Sequence, residues 1–469
     1  MIRRTKIVCT IGPASDTEEM IARLITAGMN VARLNFSHGT PEYQRELVRK
    51  VKSVRKALNK PVAILQDLQG PKIRIGVIGS SVVHLQPGQD FILTTHNIRG
   101  DEHRASVSLK TLTDEVKPGH PILLADGNIE LRVEKVEPSD IHCRVIVGGP
   151  LSSHKGVNLP ASEVQVESLT VKDRKDIVIG LEEGVDAIAL SFVRKAADIQ
   201  ACRKIVEHHG GKTPIVAKIE KHAAVDNIDS IVEASQAIMV ARGDLGVEID
   251  LETVPLVQKK IIHKCNTLGK PVITATQMLL HMVDNPRPTR AEVNDVANAI
   301  LDGADAVMLS EETAAGKYPA EAVMMMDRIA RAAELSLDTM KFENLPVEPV
   351  TEDAISSSSY FIAKEIGAAA IITPTWSGST ASRVSRFRPL MPIIATTPNE
   401  ATLDFLALCW GVIPLSIPEA KTMDEMIRHS IDAARHAGHI ESGQHVIVTG
   451  GAPLHVAGKT NFIKVETVD

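Results

Sequence analysis

The chain has 469 residues, too many for one ordinary hydrophobic core and enough for two or three domains, one of them a large barrel. Its hydrophobic fraction of 44% and charged fraction of 23% are those of a globular protein, and no apolar run nears the roughly 18 to 20 residues of a membrane span. A net charge of -6 with only 3% aromatic residues argues against a nucleic-acid partner, which calls for basic surface and stacking platforms.

In chain order, β-branched apolar runs recur, and most are followed by a helical pattern. The first is KIVCTIG (6–12), which starts without the apolar core and cleavage site of a secretion signal and so points to the cytoplasm. NVARLNFS (30–37) and VAILQDL (62–68) come next. Residues 71–167 then lose the helical period and show short alternating strands with turn signals, as in KPGHPILLADGNIELRVEKV. DAIALSF, IVAKIE, AIMVARG, VITATQ and AVMLS resume the earlier pattern between 186 and 310. Intervening stretches such as TRAEVNDVANAILDG carry helical spacing and stop on Gly. About eight such strand-helix units close a (β/α)8 TIM barrel.

The expected fold class is therefore α/β: a barrel from 1–70 and 168–344, an inserted small β-barrel domain at 71–167, and a C-terminal open α/β domain at 345–469. The last begins after the Pro-rich acidic linker NLPVEPVTED and carries four strand runs, AAAIITPT, MPIIATTP, GVIPLSI and HVIVTGG, in doubly wound order. Five cysteines without a CxxC pair read as reduced packing residues.

A barrel of this kind carries its active site at the carboxyl ends of its strands. Polar residues gather there: Arg33, Asn35 and Ser37 on the second strand, Asp67 on the third, Lys218 and Glu220 on the fifth, Arg242 and Asp244 on the sixth, Thr274 and Thr276 on the seventh. Spacing of two within most groups puts the side chains on one face. Glu220 and Asp244 are hard oxygen ligands on neighbouring strands, as Mg²⁺ accepts when substrate oxygens complete its shell. On strand geometry alone they read equally as partners of Lys218 and Arg242. Gly243 favours the first reading, since it lets a backbone amide approach an anion, with Lys218 a fixed charge over a transferring phosphoryl group.

The ordered set NFSHG, GPKIR, KGVNLP, KIE, MVARGDLGVEI, ITATQML and PRPTRAEVNDVANAILDGADAVMLS resembles pyruvate kinase over nearly the whole chain. The resemblance implies phosphoryl transfer from phosphoenolpyruvate to ADP, giving pyruvate and ATP, with Mg²⁺ or Mn²⁺. Carried over by position, it makes Lys218 the transition-state stabiliser and Glu220 and Asp244 the metal ligands. Arg33 holds the phosphoryl group, and the Gly243 amide and Thr276 hydroxyl hold the substrate carboxylate. Asn35, Phe36, Ser37, His38, Arg74 and Lys155 contact nucleotide or phosphate, and the proton donor to the enolate stays open. Arg74 and Lys155 stand at the two joints of the β insert, which suits a lid that excludes water. The resemblance also implies a homotetramer with the C-terminal domain at an interface.

One departure carries information. Many pyruvate kinases bind K⁺ near Asn35, Ser37 and the third-strand Asp67, with a segment resembling LDTKGPEIR there. This chain reads QDLQGPKIRI, with Leu68, Gln69, Lys72 and Ile75 in place of Thr, Lys, Glu and Thr. That combination resembles the K⁺-independent branch, with the Lys72 ammonium as a tethered monovalent cation, against the alternative of an exposed hinge lysine.

Farther on, Thr375, Ser377, Gly378, Ser379 and Thr380 follow a strand and open a helix. They read as an ordinary N-cap or, by the resemblance, as an effector loop for AMP or a sugar phosphate. AGKT at 457–460 lacks the upstream Gly of a phosphate loop, HH at 208–209 reads as surface, and the Met run 324–326 as core. Two other functions compete: a Mg²⁺-dependent barrel lyase or aldolase acting on 2-oxo acids, which needs no β lid, and an inactive metabolite sensor, disfavoured by the intact motifs.

Overall fold

The computed structural model describes residues 2–160, 167–454, 456 and 458–469, so Ala457 of the AGKT stretch and part of the 71–167 insert lie outside the described residues. Eight parallel strands close a barrel: Lys6–Ile11, Val31–Asn35, Ala63–Asp67, Ala187–Leu190, Ile215–Ile219, Ala237–Ala241, Val272–Ala275 and Ala306–Leu309, numbered one to eight here. Each stave alternates. Val8, Val31, Leu65, Ala189, Val216, Met239, Ile273 and Met308 pack in the interior, while Ile7, Leu34, Ile64, Ile188, Ile219, Val240, Val272 and Val307 pack in the larger cluster shared with the helices. Both faces are covered, hence the near-continuous apolar runs. Helix ends follow local chemistry: Thr289 and Glu292 form a capping box before Arg290–Asp302, and Gly303 ends that helix at φ 110°.

The inserted region is built mainly of β-strands, as its lost helical period predicts. Its strands form a six-stranded sheet and a separate pair, Val82–Leu85 with Gly149–Ser152. Along the segment 74–78 only isolated bridges form, at Arg74, Ile75 and Ile78. Gly148 stands where the chain enters the pair and admits no side chain: a Cβ there would stand 2.3 Å from the Leu85 carbonyl and 2.8 Å from Pro87. The core is nevertheless continuous, with Ile75, Leu85, Phe91, Leu131 and Leu151 in one cluster.

The C-terminal sheet is parallel in the order Val412–Ser416, Ile393–Thr397, Ala370–Pro374, His445–Gly450, and both its faces carry apolar clusters, as a doubly wound domain requires. A fifth strand, Phe462–Thr467, adds antiparallel at the edge. Its sequence, FIKVET, lacks the continuous apolar run of a central strand.

This domain plugs the amino end of the barrel. Phe405, Ala407 and Leu408 join the interior cluster of the staves, and Lys6, at the start of the first strand, donates to the Val412 carbonyl at 2.7 Å. Arg388, 1% exposed, reaches Asp305 at 2.9 Å, Asn266 at 2.9 Å and the Gly303 carbonyl at 2.6 Å. All five cysteines are free and buried. Met326 is core, whereas Met324 at the start of that run is 45% exposed. Among the described residues, no helix is long and apolar enough to cross a membrane.

Candidate active site

Period two delivers the interior residues to the carboxyl mouth. Arg33 Nε donates to Asp67 Oδ2 at 2.6 Å, and Asp67 Oδ1 lies 3.0 Å from Lys218 Nζ. Lys218 also pairs with Glu220 Oε1 at 2.8 Å and donates to Ser191 Oγ at 2.7 Å. All three N–H groups of the ammonium thus have acceptors. Burial pulls the Lys218 pKa down, but the carboxylates of Asp67 and Glu220 outweigh it and hold it above the ordinary lysine value. Burial likewise raises Asp67, and Lys218 and Arg33 overcome it, keeping that carboxylate ionised below its ordinary pKa. Glu220 is pushed up by burial, opposed by Lys218 and reinforced by the neighbouring Asp244 carboxylate.

Arg242 resolves the choice left open by strand spacing. Its guanidinium turns away from Asp244, to Asp295 at 2.7 Å and to the carbonyls of Ala275 at 3.2 Å and Thr276 at 2.7 Å. The Asp244 side chain is left half-buried, its carboxylate with no hydrogen bond or ion pair among the described residues. An acid whose neighbouring arginine is engaged elsewhere, facing a second acid with a raised pKa, suits a divalent cation. The donors are hard oxygens, matching Mg²⁺ or Mn²⁺ rather than Zn²⁺. Among the described residues no group of three or more His, Cys, Asp or Glu is arranged to hold a metal ion, so two carboxylates would leave most of the shell to substrate and water.

The seventh strand corrects the sequence reading. Ile273 and Ala275 face the interior, so Thr274 faces the other way, fully buried, its hydroxyl without a partner among the described residues. Thr276 reaches the mouth only because it stands at φ 70° and Gln277 at φ 55°, breaking the alternation. A β-branched residue there is strained. The Thr276 hydroxyl accepts the Gly243 N–H at 2.8 Å and donates to the Ala275 carbonyl at 2.6 Å.

The loop after the second strand is held by Gln44, whose amide donates to the carbonyls of Asn35 at 3.1 Å and His38 at 2.8 Å. Asn35 Oδ1 accepts the Ser37 N–H at 3.1 Å. Phe36 is corrected: it is 2% exposed and belongs to the outer core, because alternation turns it away from Asn35, so its side chain offers no nucleotide contact. The His38 ring is exposed, yet partial burial, then Arg74, Arg33, Lys72 and Lys172, lower its pKa.

The two joints of the insert are bonded to each other, Arg74 bridging Gly156 and donating to the His154 carbonyl at 3.0 Å, and the Ile75 N–H donating to Lys155 O at 2.8 Å. The Lys155 side chain is exposed. Lys72 forms no ion pair with Asp67, whose oxygens are taken by Arg33 and Lys218; it lies across the joint beside Gly156 instead. Lys72 thus stands at the joint of the insert rather than on the Asp67 carboxylate.

The C-terminal loop lies in the other domain and lines a cavity with Thr375, Ser377, Ser379, Thr380, Met426 and Lys459 among its walls. Gly378 caps the helix Ser379–Ser385 at φ 84° and donates its N–H to Thr375 Oγ1 at 2.9 Å. Thr380 is buried, its hydroxyl bonded to that of Thr460 at 2.7 Å, which leaves Ser377 and Ser379 the more accessible hydroxyls.

Residues 2–323 match the family described as pyruvate kinase, barrel domain, and residues 353–466 that described as pyruvate kinase, alpha/beta domain. This chain belongs to the pyruvate kinase family. The pyruvate kinase of Clostridium acetobutylicum is 47% identical over the full length of both chains. Pyruvate kinase 2 of Synechocystis is 47% identical over 99% of this chain and 79% of its own length. The pyruvate kinase of Geobacillus stearothermophilus is 47% identical over 100% of this chain and 81% of its own. Within the pyruvate kinase site, sequence reading missed Thr10, which accepts from Arg33 at 2.9 Å, as well as Gln44 and Ser191. The alternation that singled out Arg33 and Lys218 also puts Thr10 and Ser191 on the interior face.

Proposed function

We propose that the chain is a metal-dependent phosphotransferase that moves the phosphoryl group of phosphoenolpyruvate to ADP, giving pyruvate and ATP. The observation that carries this is the Lys218 ammonium, fixed between Asp67 and Glu220 beside Arg33 at the barrel mouth. The bond broken is that between phosphorus and the enol oxygen; the bond formed joins phosphorus to a terminal oxygen of ADP, and the enolate left behind takes a proton at carbon. Lys218 and Arg33 stabilise the phosphoryl oxygens, and Lys218 the enolate oxygen. The Gly243 amide, together with the Thr276 hydroxyl it now bonds, turns to the substrate carboxylate. Asn35, Ser37, His38, Arg74 and Lys155 receive the nucleotide. Glu220 and Asp244 would hold Mg²⁺ or Mn²⁺, which would supply positive charge against the developing negative charge of the substrate. A coupled assay tests this: pyruvate release from phosphoenolpyruvate must require both ADP and Mg²⁺.

In this reading three units divide the work: 1–70 with 168–344 for chemistry, 71–167 as lid and 345–469 for regulation. The compartment is the cytoplasm and the assembly a homotetramer. K⁺ is dispensable, as the resemblance of QDLQGPKIRI to the K⁺-independent branch implies, with Arg33, Lys72, Arg74 and Lys172 all adding positive charge near His38. Activity in K⁺ and in tetramethylammonium at equal ionic strength is expected to agree within about twofold, so that only general screening acts; strong stimulation by K⁺ would overturn this.

The cavity beside Ser377 and Lys459 suits a phosphorylated activator, AMP or a sugar phosphate. Calorimetric titration with AMP and with a hexose phosphate is expected to show binding of one of them, weakened about tenfold or more by Ser377→Ala with Thr380→Ala, as befits lost bonds to a charged ligand. Undiminished binding by the double variant would count against the site.

A further inference from the structure

Ser191 follows the fourth strand, which the barrel order places between the strands of Asp67 and Lys218. Its hydroxyl donates to the Leu68 carbonyl at 2.6 Å and accepts from Lys218 at 2.7 Å. A serine has one hydroxyl proton, and with that proton on Leu68 only lone pairs face the ammonium. The next residue, Phe192, stands at φ 56°, uncommon for a bulky side chain. There its N–H donates to Glu220 Oε2 at 2.9 Å. Adjacent residues thus hold the lysine and the acid, one by its hydroxyl and the other by its amide.

Gly70 backs this corner. It stands at φ 68°, just before the β insert begins, and a Cβ on it would lie 2.5 Å from the Phe192 ring and 3.2 Å from Ser191 Cβ. Lys221 closes the other side, 5.1 Å above the same ring.

We propose that Ser191 is a positioning residue for Lys218, setting the ammonium's orientation against the hinge of the inserted domain; this rests on the phosphotransferase reading. Ser191 is tied to Leu68 and Asp67 to Arg33, so these two acceptors stay in place. The N–H now on Glu220 is the one that can turn to an arriving phosphoryl oxygen. Without Ser191 the ammonium keeps only Asp67 and Glu220 as acceptors, its orientation is less tightly set, and the reacting geometry is occupied less often.

The test is a double-mutant cycle in the pyruvate-release assay with phosphoenolpyruvate, ADP and Mg²⁺. Ser191→Ala is expected to lower kcat by about 10- to 100-fold, with KM for both substrates changed less than about twofold, because positioning is lost rather than binding. Combined with Lys218→Met, it should cost less than about twofold more, since two groups acting as a unit are not additive. Ser191→Cys fills the same space with a weak acceptor and is expected to behave like the alanine variant; it is read in its place if Ser191→Ala does not fold. An unchanged kcat in the folded variant, a loss confined to KM, or a full further loss on top of Lys218→Met would each overturn the assignment. An inactive wild type would overturn the functional reading and this one with it, whereas an active wild type separates the two.

Discussion

Replacing Lys218 with methionine lowers kcat for pyruvate formation by on the order of 10³-fold, the scale of a cation aimed at charge that develops in the transition state. The side chain is buried, so its charge acts in a medium far less screening than water. Methionine approximates the lysine stem, and Arg33 continues to neutralise Asp67 at 2.6 Å. Glu220 loses its ion-pair partner, while burial and Asp244 still raise its pKa, so the neutral acid is favoured over a buried charge standing alone. The fold is therefore retained, which circular dichroism checks. Steady-state kinetics decide the matter: a kcat within tenfold of wild type would remove Lys218 from the centre of the chemistry.

Arg388→Met tests a different part of the molecule and is expected to cost about 3–5 kcal/mol of stability, the range for breaking a buried ion pair by removing one partner. The guanidinium bonds both oxygens of Asp305, at 2.9 and 3.2 Å, and lies 5.0 Å from the Trp410 ring centroid. Asp305 directly precedes the eighth strand and also accepts the Val272 and Trp410 N–H groups at 3.0 and 3.2 Å. Losing Arg388 leaves that carboxylate underpaired at the base of the barrel, where the C-terminal domain docks. Denaturant unfolding measures the loss; a variant within about 1 kcal/mol of wild type would show that packing alone, from Phe405, Ala407 and Leu408, holds the domains together.

Much of the architecture was legible because burial leaves a periodic trace. Eight apolar runs separated by helical patterns are what a closed parallel barrel demands, and the loss of that period after residue 71 marked the insert. Arg33, Asp67, Lys218 and Glu220 stood out because charge at the end of an otherwise buried strand needs a partner or a task. Phe36 and Thr274 went the other way: Phe36 was assigned from a contiguous motif although alternation turns it into the core, and Thr274 was placed by a period that stops at Thr276. Nothing in a list of residues reports a φ of 70° at that threonine. Lys72 was placed by resemblance to the K⁺-independent branch, and the turn at Gly70 carries it across the joint to Gly156.

Period, charge placement and turn residues are local quantities, so the amino-acid sequence by itself determined the staves, the insert, the final α/β unit and the residues gathered at the mouth. Partner choice was decided only by the tertiary structure. Whether Arg242 met Asp244 or Asp295, whether Ser191 touched Lys218, and which domain closed the base of the barrel depend on distances between segments far apart in the chain. Those distances follow from closure of the whole sheet.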